Sequence, residues 1–347
     1  MSKGELPLIP TTVIGSHPQP DWLIDRDALA HRAPPRIRAY EIWRPAPEHL
    51  TEAGDDATML AIRDMEATGI DIITDGEMRR ESYSNHFSNA LDGIDPETPG
   101  AALTRTGRPD VVPLVNGPIS RREPVEVEAA EFLLAHTDRV TKVTVPGAFT
   151  MSQQSQNDHY PSRRELGMAM ADALREEIID LFAAGIDIVQ IDEPYMQSFV
   201  DDAREYAIEA INRSVEGVDG TTILHTCFGY GHFIKDKTAG GYPFLAELAA
   251  TNVDQIAIEA AQPQLDLSVL DDFDRHTIVL GVLDLGDPVP ETPEVVAARI
   301  RAALEHIPAE RLIVAPDCGM KYLPRDVARA KLDALVAGAA IVRQQLT

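Results

Sequence analysis

The sequence predicts a (β/α)8 barrel, an α/β fold of the TIM type, with long loops after the first and second strands. Three observations predict it: eight short apolar runs rich in β-branched residues, helix-period segments between them, and a polar residue at the end of nearly every run. The runs are 11–16 (TTVIGS), 71–77 (DIITDGE), 141–147 (TKVTVPG), 187–194 (DIVQIDEP), 221–229 (TTILHTCFG), 253–260 (VDQIAIEA), 276–284 (HTIVLGVLD) and 311–319 (RLIVAPDCG). Turn residues usually bound each run, as expected of buried strands. Helix-period segments cover 54–69, 164–184, 203–216, 292–306 and 324–344. Segments 17–53 and 78–125 are the long connections, rich in proline and charge. A faint internal echo, ATGIDIITDGE at 67–77 and AAGIDIVQIDEP at 183–194, fits a fold made of repeated units. No linker marks off a second domain, so residues 1–347 read as one barrel.

Composition excludes several function classes. A hydrophobic fraction of 44% is that of a globular chain, not a disordered one. The net charge of −25, with only six lysines, repels phosphate, so nucleic acids and anionic membranes are not expected partners. No apolar run approaches the roughly 20 residues that span a bilayer. The N-terminus, MSKGELPLIPTTVIG, lacks a basic-then-apolar signal pattern, and a cytoplasmic location is expected. In that compartment two cysteines more often bind metal or do chemistry than form a disulfide.

Barrel enzymes build their sites from the C-terminal ends of the strands. Here those ends carry Ser16, Glu77, Asp192 with Glu193, His225 with Cys227, Glu259, Asp284, and Asp317 with Cys318. In a strand, residues i and i+2 face the same way, so His225 and Cys227 aim at one point. With Glu259 and Cys318 on neighbouring tips they form a sulfur, nitrogen and oxygen set suited to tetrahedral zinc. Simpler readings stand beside this one. A lone cysteine is often a small buried hydrophobe, and Glu77, Asp192, Asp284 or Asp317 would each serve as a helix cap or loop acid. His17, His86 and His232 have no partner visible in the sequence.

The motifs TTVIGSHPQ, DGEMRR, QIDEP, HTCFG, IAIEA, GVLD and PAERLIVAPDCGMKY follow one another in an order that resembles the catalytic, C-terminal half of cobalamin-independent methionine synthase. The resemblance runs from about residue 10 to the end and is to a single-barrel form of the family. It implies zinc on His225, Cys227, Glu259 and Cys318, and the amino-acid part of homocysteine on Ser16, Glu77 and Asp192. An ammonium needs carboxylates, and a carboxylate needs hydroxyl and N–H donors, which agrees with that division.

The donor side departs from the family. The acid in GEMRRES keeps Arg80, but Glu81 and Ser82 follow where the family has Asn and Asp. The stretch PGAFTMSQQSQ has no aromatic residue after Phe149 to stack on a folate, and DLGD puts Gly286 where the family has a proton-donating histidine. Asp284 or Asp287 is the candidate acid in its place, and Arg108 is the candidate donor contact. The methyl donor therefore stays open between a 5-methyltetrahydrofolate and a methyl-corrinoid, free or on a partner protein. Two other readings stay open: zinc-dependent transfer to another thiol, such as coenzyme M, and a non-catalytic homocysteine- or zinc-binding barrel.

Overall fold

The computed structural model describes residues 5–31, 34–104, 107–230, 234, 237 and 242–346. Among them ten strands form, in chain order β1 (Ile72–Ile73), β2 (Asp92–Leu103), β3 (Pro109–Ser120), β4 (Val140–Pro146), β5 (Gln156–Asn157), β6 (Ile188–Asp192), β7 (Thr221–Thr226), β8 (Gln255–Ile258), β9 (Thr277–Leu283) and β10 (Leu312–Pro316). Seven make one parallel sheet in the order β1-β4-β6-β7-β8-β9-β10. Its two edges meet across residues 11 and 12: Thr11 bridges Val314 of β10 and Thr12 bridges Ile72 of β1, both in parallel. The eighth position of the barrel is thus the expected first run, paired over two residues only.

Strand alternation builds the interior. Ile14, Ile72, Ile188, Ile223, Ala257, Val279 and Ile313, with Val140 against them, put one apolar side chain from every strand position into a separate inner cluster. Two residues further up, the same faces carry Lys142, Gln190 and His225. Two further still they carry Thr144, Asp192 and Cys227. One face of each strand therefore climbs from an apolar floor to a polar rim. The other faces belong to the larger core against the helices, among them Leu50–Thr68, Arg163–Ala184, Pro293–Ala303 and Arg325–Leu346. The helix expected at 203–216 forms over 200–214, starting earlier and ending two residues sooner, and its middle, Ala203–Ala207, is wound as a π turn.

The expected loop at 78–125 is corrected in part: from Asp92 to Ser120 it carries a long antiparallel hairpin, β2 with β3, extended by β5. The helix Val127–Ala135 that follows was also not anticipated. Among the described residues no helix is long and apolar enough to cross a membrane.

Candidate active site

The rim residues converge on a narrow cleft, lined among others by Ser16, Glu77, Tyr83, Asp192, His225, Cys227, Tyr230 and Cys318. On one side, ligand atoms of His225, Cys227 and Cys318 all lie within 4.8 Å of one another. The alternation that places Ile223 inward also places His225 and Cys227 inward. Cys318 reaches the group after the pairing of β10 with β9 slips at Ala315/Pro316, an irregularity of the kind that re-aims a side chain. Gly319 permits the approach: a Cβ there would lie 2.2 Å from Ser16 Oγ.

The three residues fit a divalent cation. Neither cysteine is in a disulfide, and their sulfurs lie 3.8 Å apart. Two thiolates at about 2.3 Å from one tetrahedral ion lie about 3.8 Å from each other. Both ring nitrogens of His225 are buried without a hydrogen-bond partner, an expense that a bound cation would offset. Cys227 beside it, together with burial, holds the Cys318 thiol well above its ordinary range, so the two cannot both ionise without a cation.

Glu259 is close by but is not one of the three. Its two oxygens accept from Lys237 Nζ at 2.9 and 2.7 Å, in a fully buried ion pair that Gly229 O completes at 2.7 Å. Asp317 takes the capping role that is its simpler reading. Its oxygens accept from the backbone N–H groups of Ala260, Ala261 and Gln262, tying the chain after Glu259 to the residue before Cys318.

On the other side stand Glu77 and Asp192. Glu77 adopts a left-handed φ of 56°, accepts from Thr144 Oγ1 at 3.1 Å through one oxygen, and leaves the other buried without a partner. Burial lifts it to about 7, with Asp192 and Asp75 adding to the rise and Arg80 and Lys321 opposing it. Burial likewise lifts Asp192 to about 6. Beneath them Gln190 donates to Asp192 Oδ1 at 2.8 Å and accepts from Lys142 Nζ at 2.6 Å. Lys142, the cation in the barrel's middle layer, is pushed down to about 7 by burial. Two buried carboxyls whose charged form lacks a counter-charge, one of them with an unpartnered oxygen, make a seat for a cation such as an ammonium.

The other expected site residues lie elsewhere. Arg108 sits exposed at the turn of the β2–β3 hairpin, paired to Thr104. Asp284 is not among the cleft's lining residues; its Oδ1 accepts from Gly286 N at 2.7 Å, so the capping alternative describes it. Glu193 accepts from Phe149 and Thr150 N–H groups at 2.9 and 2.7 Å and caps the start of a helix. Phe149 itself is buried against Tyr206 and offers no stacking face. His17 and His86 find partners in Asp64 and Glu126; His232 lies outside the described residues. The aromatic wall of Tyr83 and Tyr230, with Tyr322 packed against Tyr230, and the buried Lys142, Lys237 and Lys321, were missed. A tyrosine or lysine inside a loop or strand carries no spacing signal of its own.

Fold and site define a parallel barrel whose rim joins two thiols and an imidazole to a buried acid pair. Residues 9–341 match the family model described as "Cobalamin-independent synthase, Catalytic domain", and the chain belongs to that family. It is similar to the methionine synthase of Sulfurisphaera tokodaii, at 35% identity over 99% of this chain and 95% of the relative. It is equally similar to that of Saccharolobus solfataricus, at 34% identity over 99% of this chain and 97% of the relative. Among solved structures, a B12-independent methionine synthase from Shewanella sp. W3-18-1 in complex with selenomethionine superposes with a TM-score of 0.89, at 34% identity over 98% of this chain and 99% of that one.

Proposed function

We propose that residues 1–347 form one catalytic barrel, a zinc-dependent methyltransferase that moves a methyl group onto the thiol of homocysteine to give methionine. The carrying observation is the cluster of His225, Cys227 and Cys318 facing Glu77 and Asp192 across one cleft. The names of the relatives support the reaction. The selenomethionine of the Shewanella protein, a selenium analogue of the product, supports the ligand class.

His225, Cys227 and Cys318 hold the metal. When bound, zinc supplies a Lewis acid that keeps a coordinated thiol deprotonated at neutral pH. Glu259, which Lys237 holds in an ion pair beside the three, would be the fourth group able to hold the metal. Glu77 and Asp192 take the substrate ammonium, with Lys142 and Gln190 holding Asp192 from below. Ser16 Oγ and neighbouring N–H groups take its carboxylate. Together these residues fix the sulfur at one point and leave the methyl donor to approach from the open side of the cleft.

The donor is of the 5-methyltetrahydrofolate or methyl-corrinoid type. The test is methyl transfer by the zinc-loaded chain with homocysteine and each donor, alongside metal analysis of Cys227→Ser and Cys318→Ser. Methionine formed with either donor, and zinc lost from both variants, is expected. Full zinc content in both variants overturns the metal assignment. Homocysteine bound but never methylated overturns the reaction.

A further inference from the structure

Arg36 is a buried guanidinium without an acid. It is 6% exposed, its Nη1 donates one long hydrogen bond of 3.3 Å to Tyr83 Oη, and its Nε is buried with no partner. Its charge lies instead over two aromatic faces, 5.5 Å from the ring centre of Tyr83 and 5.6 Å from that of Tyr195. Among the described residues no carboxylate is within ion-pair distance, and Asp110 of β3 acts on it only through space. Three other buried cations have an acid beside them: Arg80 pairs with Glu126, Lys237 with Glu259 and Lys331 with Glu291. Lys142 and Lys321 at least rest on short hydrogen bonds to oxygen. Burying a charge without a counter-charge is costly, and tyrosine faces offset only part of that cost.

We propose that Arg36 is the anchor for an anionic group, a carboxylate or a phosphate, on the methyl donor, beside the Tyr83 wall of the cleft. The inference rests on the methyl-transfer reading above and adds a site to it. Position decides donor over acceptor. Arg36 is not among the residues lining the cleft that holds Glu77, Asp192 and the metal-binding group; it stands behind Tyr83, which does line it. Tyr83 is itself held rigidly, since Gln154 Nε2 donates to its hydroxyl at 2.6 Å and Ser84 fixes Gln154 at 2.8 Å. The acceptor's charged ends are already served inside. A donor that binds against Tyr83 would bring its anionic part to a buried guanidinium that has no acid of its own. Both donor classes carry such a part: the glutamate carboxylates of a folate, or the phosphate of a corrinoid nucleotide loop.

The test uses the full zinc-loaded chain with Arg36→Met and Arg36→Lys. Steady-state rates are measured with methyltetrahydrofolate mono- and triglutamate, and with methylcobalamin and methylcobinamide, which lacks the phosphate. Arg36→Met should raise the donor KM by roughly 10–100-fold, the worth of one charged hydrogen bond, with homocysteine KM and saturating kcat little changed. Arg36→Lys should fall between. Loss of the triglutamate's advantage over the monoglutamate assigns the anion to the folate; loss of methylcobalamin's advantage over methylcobinamide assigns it to the corrinoid. A wild-type donor KM in a folded Arg36→Met, or a change confined to homocysteine KM, overturns the proposal. Should Arg36→Met not fold, a wild-type KM in Arg36→Lys does the same. If the wild-type chain transfers no methyl group at all, the reaction reading fails by itself. Calorimetric titration with folate triglutamate and with cyanocobalamin then decides Arg36, and equal affinities in wild type and variant overturn it.

Discussion

Glu77 shows how one residue carries both the cost and the use of the site. A non-glycine φ of 56° is uncommon, and a carboxylate oxygen left buried without a partner adds to the expense. Its carboxyl is raised from an ordinary 4.5 to about 7, chiefly by burial. A raised folded-state value means that the folded chain binds the extra proton. Stability from this group is therefore fully present below about 4.5 and is lost as pH rises through about 7. Glu77→Gln should then stabilise the ligand-free protein at pH 8, by a gain on the order of 3 kcal/mol at most, and by much less at pH 5. Thermal unfolding at the two pH values checks this, and an equal effect at both refutes it. The same substitution should weaken homocysteine binding. Asp192→Asn should weaken it too, by roughly 2–5 kcal/mol if the ammonium seat is correct, while zinc content stays unchanged. Unaltered homocysteine affinity in calorimetric titration of Asp192→Asn would count against that seat.

At the scale of the element, what could be read in the sequence follows from periodicity. His225 and Cys227 were legible because they continue the inward face of Ile223, and Asp192 because it continues that of Ile188. Cys318 breaks that alternation and reached the cluster through a slip in pairing that no pattern announces. The β2–β3 hairpin was hidden by its prolines, among them Pro99, Pro109, Pro113 and Pro118, which read as strand breakers. A small sheet outside the barrel, whose third strand β5 pairs over two residues only, leaves long stretches of edge that tolerate them. The pairing of Glu259 with Lys237 was equally invisible, since 22 residues of loop and strand separate the two. The hairpin is moored at its end by Glu177 of the long helix, which accepts from Val125 and Glu126 N–H groups and from Arg121 Nη1 at 2.7 Å. Glu177 is fully buried, and Arg121 nearly so. Glu177→Ala would leave two N–H groups without their acceptor and take one of Arg121's acid partners, Asp180 remaining, so a loss of about 2–4 kcal/mol is expected in urea unfolding. A loss below 1 kcal/mol, the range of a surface pair, would mean the mooring is unimportant.

For the whole molecule, the faint repeat in the sequence has a structural cause. The aspartates of the two GID segments are Asp71 and Asp187. Asp71 Oδ2 accepts from both the N–H and the hydroxyl of Thr11, at 2.9 and 2.8 Å. Asp187 does the same for Thr141, at 2.7 Å each. Asp254 repeats the pattern with Thr222, at 2.8 and 3.0 Å. Each aspartate staples the start of one strand to the next around the barrel. The Thr11 staple matters most, because the seam there is paired over two residues only, and Arg343 of the C-terminal helix reinforces it by donating to Asp71 and to the carbonyls of Leu8 and Ile9. Four residues beyond Thr12 stands Ser16, in the wall of the cleft. Loosening the seam should therefore reach the site. Asp71→Ala is expected to cost about 3 kcal/mol, from hydrogen bonds to a charged group, and to speed amide exchange at Ile72 and Val314, whose N–H groups bond Thr11 and Pro10 across the seam. Homocysteine affinity should fall with it, although Asp71 touches nothing in the cleft. Asp187→Ala, at a seam paired over five residues, should cost stability while leaving exchange at Ile72 and Val314 close to wild type. Equal exchange at those two amides in both variants would show that the barrel closes without help from the staple.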